Sequence, residues 1–382
     1  MLHATSAVID LGALRHNLLA VRALIGERAL LVPVKANAYG HGAVAVSRFI
    51  EDEHLADWLG VATVPEAIEL RQSGINLPIL KMSLSFEDEL PSLLGLPNVA
   101  LTVADDRTID QAEVAAKAAG LTGHVHLAVD TGMRRVGCEP SQSIAMAQRI
   151  AACEHLNLQG IGTHLPISDL ADDSGFTDEE LASFEALVDA IQDDRASAGM
   201  APVPLIHPAN SGAVLGHNLG CATMVRPGIM VYGYYPDATT PRPVGLQPVM
   251  SLTSQVTFVK PVPAGQTVGY GRTWQAPCDT WIATVPVGYA DGFSRLNSNQ
   301  GSMLINGRHV AVAGRVCMDF TMLDLGPADQ PPAQVGDTVT WLGRQGDEVV
   351  TADDLANIMG TISYEVLCLI TSRVPRHYIG GS

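Results

Sequence analysis

The sequence has no arrangement of cysteines that would staple a small fold or hold a metal. Its six cysteines, at positions 138, 153, 221, 278, 317 and 368, form no C-x-x-C pair and have no histidines at zinc spacing. A disulfide framework and a zinc site are therefore not expected, and a reducing cytoplasm is the simplest home. No uninterrupted apolar run approaches the roughly 20 residues of a membrane span. The opening residues, Met1-Leu2-His3-Ala4-Thr5-Ser6, have no basic segment followed by an apolar one, so no secretory signal is expected. Basic residues are scarce: 23 Lys and Arg against 40 Asp and Glu give a formal charge of −17. Such a surface repels a polyphosphate backbone and argues against a nucleic-acid partner, though a local cluster of Arg and Lys can still attract a small anion. Internal repeats and low-complexity tracts are also missing.

What is present is a chain of 382 residues with 47% apolar content, enough for two folded domains. Asp10 is placed to cap a helix through Leu11, Leu14, Leu18, Leu19 and Leu24. Strands are predicted over 30–35, 59–63, 78–81, 99–103, 125–130, 158–164, 204–207 and 224–226. Helical patterns fill most intervals, including 64–73, 108–119, 141–153 and 178–198. Eight βα units in succession close naturally into a TIM barrel. A Pro- and Thr-rich stretch, 237–243, reads as a linker. Beyond it come short β-like runs at 251–260, 280–285, 302–305, 309–313 and 337–342, then a helix over 352–359. The fold class is thus α/β: an N-terminal (β/α)8 barrel over 8–236, followed by a mostly-β C-terminal domain over 244–382 with residues 1–7.

In a TIM barrel the active site is built from the C-terminal strand ends. At those ends stand Lys35, Asp130 to Arg135, His164, Asn210-Ser211-Gly212 and Arg226-Pro227-Gly228-Ile229. Lys35 follows an apolar strand, and desolvation with nearby positive charge lowers a lysine's pKa, as a Schiff-base lysine requires. Gly40 and Gly42 open the backbone beside it, and Tyr39 offers a hydroxyl. Ser211 and the amides of Gly228 and Ile229 follow strands seven and eight, the usual phosphate position of this fold. Arg226 is suited to a pyridine nitrogen, because a guanidinium donates without giving up its proton. Each feature alone has a blander reading: a surface lysine, a pair of helix caps, a structural histidine.

Taken together, Val34-Lys35-Ala36-Asn37-Ala38-Tyr39-Gly40-His41-Gly42 resembles the lysine signature of alanine racemases, which carry pyridoxal phosphate. The likeness extends to Asp130-Thr131-Gly132-Met133, His207-Pro208-Ala209-Asn210-Ser211 and Met224-Val225-Arg226-Pro227-Gly228-Ile229. In the second domain it covers Val268-Gly269-Tyr270-Gly271, Pro286 to Gly292, Gly314 to Asp319 and Ile362-Ser363-Tyr364-Glu365. The resemblance implies interconversion of L- and D-alanine by two bases, supplying D-alanine for peptidoglycan. Lys35 would hold the cofactor and act on the D face, and Tyr270, from the partner of a homodimer, on the L face. Tyr39, Asn210, Ser211, Gly228, Ile229 and Tyr364 would complete the cofactor site. Arg226 would meet the pyridine nitrogen, with His164 linking Arg226 to Tyr270. Arg135 and the backbone of Met318 would hold the substrate carboxylate, and Tyr289, Arg295, Arg315 and Asp169 would line the access corridor. A cationic Arg226–His164 pair is the expected source of the roughly 2.7 kcal/mol needed to lower a tyrosine pKa by about two units.

The sequence departs from the family pattern at Ala128, where many members carry a carbamylated lysine that orients the substrate arginine. An anion such as chloride is expected to fill that gap. Arg134 replaces a commonly small residue, and His164-Leu165-Pro166-Ile167-Ser168-Asp169 differs from the usual version of that segment. A serine or broad-specificity racemase is therefore an alternative, and a fold-type III decarboxylase a more distant one. A single-barrel cofactor-binding protein would lack the second domain, and a cofactor-free aldolase would need neither phosphate hydroxyls nor a ring-nitrogen partner.

Overall fold

β1 (Ser6–Asp10) runs into the helix Leu11–Ile25. Asp10 starts that helix as expected: its Oδ1 accepts from the amides of Gly12 at 2.8 Å and Ala13 at 3.1 Å. The buried stripe is Leu14, Leu18, Val21 and Ile25, at helical spacing, while Leu19 falls off the stripe and is exposed. The structure, a computed structural model, describes residues 4–381. Residues 1–3 of the N-terminal segment expected to join the second domain lie outside the described residues.

The chain forms two compact units, one of residues 14–38 and 43–247, the other of residues 4–13, 39–42 and 248–381. In the first, eight short apolar runs become parallel strands: β2 (Ala29–Pro33), β3 (Trp58–Val61), β4 (Ile79–Lys81), β5 (Val99–Val103), β6 (Gly123–Ala128), β7 (Leu156–Gly162), β8 (Leu205–His207) and β9 (Met224–Val225). Their order is β8-β7-β6-β5-β4-β3-β2-β9. Pairing of β9 with β2 (Ala29↔Met224) nearly closes the ring. The remaining seam between β8 and β9 is bridged by Thr223 N donating to Ile206 O at 2.9 Å and Arg226 N to Ala209 O at 2.8 Å. The eight predicted strands are all present, and several end earlier than expected. The run 30–35, for example, stops at Pro33, because the chain after Val34 turns left-handed and leaves the ladder. Helices cover the barrel, among them Val64–Gln72 and Phe176–Ser197.

Strand alternation sends Leu31, Leu80, Ala100 and Met224 into one buried layer, with Trp58, Met82 and Leu205 packed against it. The expected linker is tied to this unit rather than tethered loosely. Asn17, fully buried, donates to Val231 O and Gln247 O and accepts from Gln247 N. Thr240 is buried as well, its hydroxyl on Asp169 O at 2.7 Å.

The second unit is built on a ten-stranded sheet that takes in β1, antiparallel to Met250–Gln255 and parallel to Arg376–Ile379. Strands Thr280–Val285 and Ser302–Ile305 and helix Ala352–Met359 lie where the sequence pattern placed them. The single run expected over 251–260 is broken at Val256, which is buried with its amide on Asp337 O. Thr321–Gly326 and Arg376–Ile379 carried too little alternation to be read as strands. No helix among the described residues is long and apolar enough to cross a membrane.

Truncating Leu31 to Ala removes a fully buried side chain from the barrel layer and is expected to cost about 2–5 kcal/mol. Urea unfolding followed by circular dichroism checks this, and an unchanged midpoint contradicts the packing described.

Candidate active site

The first feature of the site is a strained turn. Beyond β2, Ala36, Asn37, Ala38 and Tyr39 all have φ between 52° and 55°, a left-handed conformation that costs L-residues roughly 1–2 kcal/mol each. Three hydrogen bonds compensate. Ala38 N donates to Val34 O at 2.7 Å, Ala43 N to Asn37 Oδ1 at 2.8 Å and Ala36 N to Glu66 Oε1 at 2.8 Å. The other oxygen of Glu66 accepts from Ala62 and Thr63, completing the capping box of the Val64–Gln72 helix. One carboxylate therefore joins the ends of β2 and β3 directly beside Lys35. Sequence reasoning missed Glu66, although its T-x-x-E spacing from Thr63 was available as a signal.

Lys35 lines a cavity of about 280 Å³ at the C-terminal ends of the strands, together with Ala128, Met133, Arg135, Thr163, His164 and Arg226. Four predicted site residues, Lys35, Arg135, His164 and Arg226, thus share one space. Arg226 is buried, 6% exposed. Its Nη2 donates to Thr163 O at 2.6 Å and makes a long contact of 3.5 Å to His164 Nδ1, and its Nη1 donates to His207 Nδ1 at 2.8 Å. Among the described residues no carboxylate pairs with Arg226 or Arg135. Burial and then the proximity of Arg135 bring Arg226 down to about 10, so it stays charged at neutral pH. The cavity is a cationic space with no anion of its own.

His164 differs from expectation. Burial first, then the cations Arg226, Arg135 and Lys35, push its pKa down to about 3. The expected cationic pair is therefore one cation, Arg226, beside a neutral imidazole, because a second positive charge is disfavoured among three existing ones. Behind it lies a pair the sequence did not suggest: His207 Nε2 and His126 Nδ1 are 2.8 Å apart in the barrel interior. His126 is pushed down to about 3 and His207 well below its usual range, both chiefly by burial. The available signal was strand alternation, which puts His126 on the same face as Ala128 of β6.

Asn210 caps the helix Ser211–Gly216, its Oδ1 accepting from Ala213 N and from Ser168 Oγ, while its Nδ2 donates to Leu165 O. Its side chain is engaged in holding the 165–168 loop. Gly212 is required there, since a Cβ would lie 2.6 Å from the Ser168 carbonyl. Ser211 Oγ accepts from Gly228 N at 2.8 Å, which joins the segments after β8 and β9. Arg134 points away from this chemistry, exposed and paired with Glu139 at 2.8 Å.

Ile229 and Asp169 lie in the barrel unit, and the other predicted residues belong to the second unit. Tyr39 and Tyr364, 325 positions apart in the sequence, stand with ring centroids 6.1 Å apart, and burial raises the Tyr39 phenol above its usual range. Gly40 and Gly42 serve packing: a Cβ at either would meet Leu367 O at 2.2 Å or the Tyr378 hydroxyl at 1.9 Å. Tyr270 is 70% exposed on a turn between Gly269 and Gly271, and Met318 is 52% exposed. The Met318 loop is braced by Tyr289 N on Cys317 O and Ala290 N on Met318 O, both at 3.1 Å. Buried Asp291 and half-exposed Asp319 are bridged by Arg373, a brace not suspected from the sequence.

Comparison with known proteins decides the family. Residues 9–236 match the family model described as alanine racemase, N-terminal domain, and residues 249–378 that described as alanine racemase, C-terminal domain. The chain belongs to the alanine racemase family. An alanine racemase of Cutibacterium acnes is 47% identical over 374 residues, covering 98% of this chain and 97% of the relative. One from Treponema denticola is 39% identical over 384 residues, covering 99% of each. The solved alanine racemase of Clostridium difficile 630 superposes with a TM-score of 0.89 at 34% identity, covering 99% of this chain and 96% of that one. That of Bacillus anthracis, solved with bound L-Ala-P, gives 0.89 at 32%, covering 100% and 97%. As a racemase of this family, the chain is an isomerase built on the expected TIM barrel and β-rich domain.

In this alanine racemase scaffold the buried histidines set an acid limit. Their folded pKa values lie below the unfolded value near 6.5, so the unfolded chain binds more protons below that pH. The pair's contribution to stability is complete above about pH 6.5 and is lost progressively as the pH falls below it. Urea midpoints measured between pH 7 and pH 5 are expected to drop before carboxylates titrate; a flat profile over that range contradicts the neutral pair.

Proposed function

We propose that the protein interconverts L- and D-alanine with pyridoxal phosphate held on Lys35, acting as a homodimer. The observation that carries this reading is the cavity itself. It joins an amine at a strand end to a buried arginine that no carboxylate neutralises. The residues fit the cofactor. Lys35 offers the amine for its aldehyde. Arg226 has an Nε–H that meets no acceptor among the described residues, available to the ring nitrogen. The hydroxyls of Ser211, Tyr39 and Tyr364 and the amide of Ile229 would take its phosphate, with Gly228, whose amide donates to Ser211 Oγ, beside them. When bound, pyridoxal phosphate supplies an electron-withdrawing ring that acidifies the Cα–H of the attached amino acid.

The chain's own groups then decide the outcome. A guanidinium at the ring nitrogen donates without protonating it. That weakens electron withdrawal and favours quick return of a proton to Cα. Arg135 holds the substrate carboxylate in a cavity that lacks any competing anion, with the Met318 backbone as second holder. Inversion at Cα needs an acid–base group on each face. Lys35 serves the D face, and Tyr270 of a second copy serves the L face. Tyr270, Tyr289, Leu296, Met318 and Phe320 are all more than 40% exposed on the second unit. Aromatic and apolar exposure of this kind suits burial against another copy. Arg295, Arg315 and Asp169 take the access corridor. The buried thiol of Cys138, raised to about 11 by burial, suits a reducing cytoplasm.

Purified protein incubated with L-alanine is expected to yield D-alanine on chiral chromatography, and Lys35→Ala to yield none and to lose the cofactor's visible absorbance. Tyr270→Phe is expected to slow the L-to-D direction by about 10²–10⁴-fold, while exchange of the D-alanine Cα proton in deuterium oxide persists. Equal loss of exchange from both enantiomers overturns the face assignment.

A further inference from the structure

Two imidazoles that the proposed reaction does not use line the same cavity as Arg226. His207 stands on β8 and His126 on β6, with β7 between them in the sheet. Their ring centroids are 5.0 Å apart, and the rings are 6% and 1% exposed. Two glycines on one face of β7 create the slot. A Cβ on Gly162 would lie 2.2 Å from the His207 ring, and one on Gly160 would lie 2.4 Å from His126 Nδ1. Any other residue at either position would push the rings apart.

The hydrogen bonds fix where the protons are. A guanidinium only donates, so Nδ1 of His207, 2.8 Å from Arg226 Nη1, must accept. The proton of neutral His207 is then on Nε2, and it donates to His126 Nδ1 at 2.8 Å. His126 in turn carries its proton on Nε2, with Gln159 as its neighbouring polar side chain. Among the described residues neither His126 Nε2 nor Gln159 Oε1 has a hydrogen-bond partner. A proton added to either ring would set one N–H against another and place a further charge near Arg226 and Arg135. Only one proton arrangement gives each contact from Arg226 through His207 to His126 one donor and one acceptor.

We propose that His126 and His207 are positioning residues for Arg226, forming a one-way chain of donors, Arg226 to His207 to His126, that orients the guanidinium. Successive hydrogen bonds polarise one another, so the His207 lone pair facing Arg226 is strengthened by the bond behind it. Imidazole acceptors hold the arginine without neutralising it. A carboxylate in their place would cancel its charge and offer a proton acceptor beneath the ligand. The catalytic consequence rests on the reading of Arg226 as the ring-nitrogen partner, whereas the proton arrangement does not depend on it.

The test is NMR of imidazole nitrogens in cofactor-loaded protein labelled with ¹⁵N-histidine. His126 and His207 are expected in the neutral Nε2–H form, unchanged between about pH 5.5 and pH 9, alongside the neutral ring of His164, and the His126 signal is lost in His126→Asn and thereby assigned. His126→Leu removes the acceptor for His207. It is expected to shift the His207 signal and lower kcat about tenfold with KM for alanine little changed. His126→Asn, whose Oδ1 can still accept, is expected to restore both. An Nδ1–H form or protonation of either ring in wild-type protein overturns the proposal, as does an Asn variant as impaired as the Leu variant. Wild-type protein that shows the two neutral rings but does not racemise alanine upholds the relay and refutes the proposed reaction instead.

Discussion

A buried guanidinium with no carboxylate partner among the described residues is the constraint around which the barrel is arranged. Removing a full charge from water is among the costliest acts in folding unless hydrogen bonds replace the lost hydration. Arg226 meets that cost with the Thr163 carbonyl and the lone pair of His207. Each acceptor makes a further demand. His207 accepts only while neutral, which requires burial and an acceptor for its Nε2–H in His126. That pair needs space, which Gly160 and Gly162 of β7 provide by having no side chains. The register of three adjacent strands is thereby linked to the charge of one residue. Because the charge is held but not cancelled, the cavity favours ligands that bring their own negative charge.

The lysine is positioned by a different economy. Four non-glycine residues in left-handed conformation after Val34 are unfavourable, and strain of this kind survives only where the surroundings over-determine it. Glu66 is the main determinant, since one carboxylate accepts from Ala36, Ala62 and Thr63. The same carboxylate ends one strand, starts one helix and fixes the turn that follows Lys35. Rigid backbone around a flexible amine suits the role proposed for Lys35, which asks it to reach both a cofactor and a Cα proton.

The second unit presents its chemistry on loops over a rigid sheet. β1, at the start of the chain, is inserted between strands from positions 250–255 and 376–379. The turn carrying Tyr270 packs on Gly314 and Arg315, and the Met318 loop is braced by Asp291 and Arg373. Exposed aromatic and apolar side chains on such braced loops can be buried by a partner without refolding, which keeps the entropy cost of assembly low.

Much of this architecture was legible without coordinates. Apolar runs of strand length separated by helical patterns are local signals, because period and burial are written in neighbouring residues. The eight barrel strands, the cap at Asp10 and the sheet strands at 280–285 and 302–305 followed from them. The blocks around Lys35, Arg226 and Tyr270 were equally readable, since each is contiguous in the chain. Protonation states and long-range pairings were not. His126 and His207 are 81 positions apart, Tyr39 and Tyr364 meet only after folding, and β1 finds its partners at the far end of the chain. The neutrality of His164 depends first on its burial and then on three cations delivered by three different strand ends, a sum over space that no local pattern of residues contains.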